Sequence, residues 1–244
     1  MKTSIKKQVV LLVAGLLFAT TSYGQWKSIK GNGNMTTVTR TTDSYDAIKC
    51  AGSMDFILVK SSEGKIKIEG EENLLEYIIT EVKDNKLKVR VKKGKNLKFS
   101  KNKTIKITIP FIDINEVSLA GSGDLWNEDI INSTNLDVAL AGSGDVVLDI
   151  KATSVEGALA GSGDLTLKGN TNSLIAKVAG SGDFHGFDLQ SNNTKVSVAG
   201  SGDAEVVSNK SIKARVAGTG DIVYKGNPET KDTKVAGSGD ISRD

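Results

Sequence analysis

Ala120-Gly121-Ser122-Gly123-Asp124 is the stretch whose reading decides the architecture. The same five residues return at 141–145, 160–164, 179–183, 199–203 and 236–240, with Ala217-Gly218-Thr219-Gly220-Asp221 as a near-identical copy. Successive copies begin 21, 19, 19, 20, 18 and 19 residues apart. A short string repeated at a near-constant period of this length is the signature of a solenoid, in which each unit closes one coil. Working outward from the string, residues alternate. Leu119, Leu140, Leu159, Val178, Val198, Val216 and Val235 precede it. Leu125, Val146, Leu165, Phe184, Ala204, Ile222 and Ile241 follow it. Period two on both sides predicts two short strands per coil, each with one buried face, joined by a Gly-Ser-Gly corner. The slots Trp126, Val147, Thr166, His185, Glu205 and Val223 should face out.

Equivalent strands of successive coils run the same way, so the fold expected is all-β: a single-stranded, right-handed parallel β-helix (β-solenoid) with coils of about 19 residues. The division expected is 25–115 as an irregular, basic N-terminal β region and 116–244 as the regular, acidic solenoid. Cys50-Ala51-Gly52-Ser53-Met54-Asp55 reads as a degenerate eighth copy that places Cys50, the one cysteine, in the core column. Alternation at 65–68, 86–91 and 104–109 predicts strands, and 73–77 a brief helical turn. The chain between Ala51 and Ala120 has room for three to four irregular coils, the reading favoured, or for a small sheet capping the solenoid.

Residues 1–24 read as a secretory signal: Lys2, Lys6 and Lys7, then an apolar core from Val9 to Ala19, then small residues before Gln25. The apolar core is too short to span a bilayer. No cysteine follows the cleavage site, so no lipoprotein anchor is expected. An exported, non-membrane-spanning protein of the periplasm or cell surface follows. Beyond residue 24 basic and acidic side chains balance, but 25–115 carry 18 basic and 11 acidic, and 116–244 carry 11 and 18. Opposite charge at the two ends can steer association. The last copy of the string ends four residues before Asp244, so the final coil is expected to be uncapped and to favour a homo-oligomer.

Two sets of residues invite a functional reading. The corner column, ligand-facing or structural, is Ser122, Asp124, Ser143, Asp145, Ser162, Asp164, Ser181, Asp183, Ser201, Asp203, Thr219, Asp221, Ser238 and Asp240. Two glycines permit the positive φ that a sharp corner needs, and Asp accepts backbone N–H groups, which favours the structural reading. Carboxylates stacked about 4.8 Å apart repel by about 0.9 kcal/mol per pair in water, so N–H donors or cations must offset them. Calcium needs six to eight oxygens, which disfavours a metal ladder, and no metal or cofactor is expected. The second set is a basic patch, Lys86, Lys88, Arg90 and Lys92, within a run of eleven cations from Lys83 to Lys106. It reads first as a solvated strand face that blocks edge pairing, and second as a patch for acidic polysaccharide or lipid head groups. Nucleic acid is not expected for an exported chain with no aromatic stacking platform there.

Catalysis finds little footing. His185 is the one histidine, and neither a Gly-x-Ser-x-Gly elbow, a zinc cluster nor a phosphate loop is present. The chain resembles the putative auto-transporter adhesin, head GIN domain family. The resemblance rests on Gly70-Glu71-Glu72-Asn73-Leu74-Leu75, Thr80-Glu81-Val82, the Ile109-Pro110 strand end and the Ala-Gly-Ser-Gly-Asp series. It implies a β-helix exported by a Gram-negative bacterium and supplies no catalytic residues. The function expected is a non-enzymatic, adhesin-like envelope module recognising a glycan or protein through the solenoid surface. The alternatives are a polysaccharide-cleaving enzyme and a purely structural protein.

Overall fold

The computed structural model describes residues 27–244; the expected signal segment, 1–24, lies outside them. Two columns of parallel strands run the length of the molecule. In the first, Lys86–Val91, Ala47–Gly52, Glu116–Gly121 and Ile131–Gly142 pair in that spatial order. The same column continues through Val146–Gly161, Leu165–Gly180, Leu189–Gly200, Ser211–Gly218 and Thr230–Gly237. In the second, Lys106–Phe111, Asp55–Lys60 and Leu125–Asn127 stack below the strands that follow each later corner. Between the columns sits a continuous apolar core, buried from Ile48 and Phe56 through Leu119, Leu140, Leu159 and Val178 to Val216 and Ile222. The fold is a parallel β-solenoid.

Register follows the repeat residue for residue. Leu119 lies opposite Cys50 on one side and Leu140 on the other, and the alanines and first glycines of the motif align the same way. The degenerate copy is therefore a true coil. Cys50 is 3% exposed, and burial pushes its thiol well above the ordinary range. The core column is not uniform: Gly157 stands where its neighbours carry larger side chains, and a Cβ there would lie 2.9 Å from Cε2 of Phe184. The missing side chain makes room for that ring.

The N-terminal segment departs from the favoured series of three to four coils and comes nearer to the alternative, a small capping sheet. The coil at 47–60 is the second layer in space, not the first. Only Lys86–Val91 and Lys106–Phe111 lie beyond it in the parallel columns. Antiparallel pairs cover the end: Ile78–Lys83 against Lys86–Val91, Lys65–Glu71 against Lys106–Phe111, and Met35–Thr41 outermost, beside a separate parallel pair of Lys27–Lys30 and Lys95–Lys98. The hairpin at Asp84 and Asn85 has φ of 52 and 57, the twist that suits a two-residue turn between antiparallel strands. A one-turn helix, Glu72–Leu75, buries Leu74 and Leu75, close to the expected helical turn.

Glu71 holds this cap together. Its side chain accepts hydrogen bonds from Gly33 N at 2.6 Å, Ser100 N at 2.9 Å and Ser100 Oγ at 2.5 Å. Burial pushes the carboxyl up, but those bonds and nearby Lys103 outweigh it and hold the group below its ordinary value.

The corner also corrects one expectation. Only the first glycine of each copy has a left-handed φ, 138 at Gly161, for example. The second does not. Its requirement is contact: a Cβ on Gly163 would lie 1.9 Å from the carbonyl oxygen of Gly144 in the coil below.

Candidate functional site

The corner column forms a hydrogen-bonded ladder with a fixed direction. Oδ1 of each Asp accepts the backbone N–H of the next Asp, from Asp124 and Asp145 at 3.2 Å to Asp221 and Asp240 at 2.7 Å. Asp145, Asp164, Asp183 and Asp203 continue it at 3.0, 3.0, 2.7 and 2.7 Å. Ser162 N and Gly163 N both donate to Gly142 O, and the other corners repeat that pair. Each carboxylate from Asp124 to Asp221 thus satisfies a donor that the bend leaves orphaned, which offsets repulsion along the column. The hydroxyls point outward; Thr219 Oγ1 donates to Ser201 Oγ at 3.0 Å. Where the ladder stops, the strain shows: burial and the nearby Asp124 carboxylate push Asp55 up, against Thr104 and Lys106. Asp164, Asp183 and His185 offer ligand atoms within 4.8 Å of one another, and His185 Nδ1 lies 3.2 Å from Glu205 Oε2.

Two of the four basic residues, Lys86 and Arg90, are paired with carboxylates. Lys86 Nζ lies 2.8 Å and Lys49 Nζ 2.5 Å from the Glu116 carboxylate, and Arg90 bonds Glu81 at 3.2 Å. Burial pushes Glu116 up, but the two lysines outweigh it and lower it. Lys88 shares the face of Lys86 and Arg90, while Lys92 lies past the strand end. The four do not converge on a cleft; only Lys86 lines one.

That cleft is the site the sequence did not reveal. On the side where each coil turns back, a groove of about 980 Å³ is lined by Asn115, Asn132, Ser133, Thr134, Asn135, Thr153 and Asn170. Asp46, Asp113, Glu116, Asp137, Lys86 and Lys151 rim it. Through Thr153 and Asn170 it continues into a cleft of about 400 Å³ lined by Thr171, Asn172, Gln190, Ser191, Asn192 and Asn209, with no charged group. Neighbouring coils brace it: Asn192 Nδ2 donates to Asn172 Oδ1 at 3.0 Å, and Thr171 Oγ1 to Thr153 O at 3.2 Å. Asn115, Asn170, Gln190 and Asn209 stand exposed along it. The only signal in the sequence was the polar turn at 169–173, whose counterparts in other coils vary in length and composition.

Fold and groove together define an elongated repeat protein that offers fixed polar side chains along one flank. The family model described as "Putative auto-transporter adhesin, head GIN domain" matches residues 44–228, and the chain belongs to that family. A putative adhesin from Bacteroides fragilis is similar at 27% identity and TM-score 0.81, over 88% of this chain and all of that one. A putative lipid binding protein from Parabacteroides distasonis, also 27% identical, aligns at TM-score 0.73 over 89% of this chain and 100% of its own. A putative adhesin from the same organism aligns at 25% identity and TM-score 0.71, over 89% and 100%. No curated protein matches the chain. Among the described residues, no helix is long and apolar enough to cross a membrane.

Proposed function

We propose that this protein is an exported, adhesin-like binding module of the cell envelope that takes a glycan along the amide groove and performs no catalysis. The observation that carries this is the groove itself: open, continuous over several coils, and lined by exposed amides and hydroxyls held by bonds between coils. Amides donate and accept at once, which suits sugar hydroxyls, and fixed side chains lower the ordering cost of binding. A glycan array probed with the full chain tests it, beside a variant carrying Asn170→Ala, Asn172→Ala, Gln190→Ala and Asn192→Ala. Binding that falls at least tenfold in the variant supports the reading. An empty array together with an empty pull-down from envelope extract refutes it, and capture of a protein alone replaces the glycan by a protein ligand.

Self-association belongs to the same proposal. Thr230–Gly237 is exposed along its length and pairs on one side only, and Val235 is 40% exposed. Contact of this negative end with the positive cap region should weaken with salt, whereas apolar contact between two such strands should not. Sedimentation at low and high ionic strength separates the two, and a monomer in both excludes self-association.

A further inference from the structure

A second surface lies on the straight strand after each corner, away from the amide groove. Outward positions of that strand form one register column: Ile57, Trp126, Val147, Thr166, His185, Glu205 and Val223 in successive coils. At its N-terminal end the column is apolar. Trp126 is partly exposed between Ile57 and Val147, and Val147 is 38% exposed. Over the next three coils, at Thr166, His185 and Glu205, it is polar.

Trp126 and Val147 floor a cleft of about 580 Å³ whose rim holds Asp124, Asp145, Asp149 and Lys168. The rim is prefixed. Oδ1 of Asp124 and of Asp145 each accepts a backbone N–H from the next coil, at 3.2 and 3.0 Å. That contact orients each carboxylate at the cleft and leaves it acceptor capacity to spare. Asn127 closes the far side, donating to Asp129 O at 2.9 Å and Asp149 O at 2.7 Å and accepting from Asp149 N at 2.9 Å. The strand that carries Trp126 is thereby tied to its neighbour.

We infer that this cleft is a sugar-binding subsite: a pyranose ring lies with its C–H face on Trp126 and Val147 while its hydroxyls donate to Asp124 and Asp145. The chemistry narrows the ligand. Ionised carboxylates only accept, so the ligand must bring donors, and a pyranose brings several on one rigid ring. The floor is apolar and aromatic, matching the ring's C–H face. Three carboxylates against one ammonium repel phosphate, sulfate and uronic acids. The sugar is therefore neutral. This goes beyond the amide groove and stands or falls apart from it.

The test uses the full chain and a panel of neutral hexa-oligosaccharides (gluco-, xylo-, manno- and N-acetylglucosamine-linked), with an oligogalacturonate as the acidic arm. Tryptophan emission reports binding, and Trp126→Phe assigns the signal, since Trp26 is the other tryptophan. At least one neutral sugar should bind below about 10 mM. Its affinity should fall tenfold or more in Trp126→Ala and in Val147→Lys, a change at an exposed position that covers the floor without removing the indole. The groove variant should keep the Trp126 signal, so failure of the groove reading and failure of this one are distinguishable. Raising salt to about 0.5 M should change affinity less than twofold for a neutral ring. No binding by any neutral sugar, tighter binding of the acidic oligomer, or unchanged affinity in Val147→Lys overturns the subsite. Capture of a lysine-rich peptide in place of sugar, lost in high salt, also overturns it.

Discussion

Replacing Gly163 by alanine should disrupt the stack far more than the size of a methyl suggests. The new Cβ would sit 1.9 Å from Gly144 O and 2.9 Å from Gly144 C, about 1.5 Å short of ordinary contact. Both atoms nearest it are backbone, so no rotamer relieves the clash, and the two coils must separate at that corner. Separation strains the bonds from Ser162 N and Gly163 N to Gly142 O, at 2.8 and 3.1 Å, and from Asp164 N to Asp145 Oδ1, at 3.0 Å. Three bonds at about 1 kcal/mol each give a loss of about 3 kcal/mol. Gly94→Ala is the control: φ is 77 there and nothing lies within 4 Å, so only backbone strain of about 1 kcal/mol applies. Urea unfolding followed by circular dichroism measures both, with slopes compared to detect partial unfolding. Hydrogen exchange should place the opening in the coils around 142–183. If Gly163→Ala costs no more than Gly94→Ala, coil contact is not what demands glycine at 163.

Further outcomes follow from the same geometry. Cys50 should resist a thiol reagent in the native protein and react fully in denaturant, because it is 3% exposed and its thiol is held protonated. Glu71 is held below its usual value of 4.5, so its stabilisation is present above that value and lost as pH falls through the folded one. Glu71→Gln should cost about 1–3 kcal/mol at neutral pH and flatten the acid limb of a stability–pH curve; an unchanged acid limb would remove Glu71 as its source. Gly157→Ala should destabilise by about 1–3 kcal/mol through the Phe184 ring, and Phe184→Leu in the same chain should recover part of that, measured as a double-mutant cycle. Calcium should not raise the melting temperature, since each corner carboxylate from Asp124 to Asp221 already accepts an N–H; a calcium-dependent rise abolished by Asp164→Asn would show that the column holds cations.

Much of the fold was legible because an identical corner must stack on itself. Leu119, Leu140 and Leu159 announced a column, and alternation fixed which side of each strand faces it. Even Cys50 could be placed. Layer order was not legible, because Lys86–Val91 alternates like any half-buried strand but carries no corner, and period two does not separate parallel from antiparallel partners. The role of each glycine was hidden too: a positive φ at Gly161 and a contact at Gly163 leave the same letter. The groove escaped for a different reason. Asn115, Asn132, Asn170 and Gln190 lie where coil length varies from 18 to 21 residues, so aligning on the corner scatters them. Trp126 was read as outward, but its neighbours Ile57 and Val147 become a floor only once coil register is known.

The position of residues 47–60 inside the stack sets the order in which the body can be built. This stretch emerges early in synthesis, yet one of its edges is met by 86–111 and the other by 116–127. Until both arrive, it is a seed with two open rims, and its closure must span several tens of residues. That step carries the loop-closure cost and the exposure to wrong pairing, and the lysines of 83–106 stand beside it at the vulnerable moment. Once 116–127 has docked, the character of assembly changes. Every later turn lands on a finished template about 19 residues behind it. Each arriving corner finds an aspartate carboxylate already waiting for its N–H. Growth becomes a ratchet that runs one way. A chain cut after any corner from 141–145 onward would keep a complete seed beneath it, whereas one begun at 116 would have nothing to grow from.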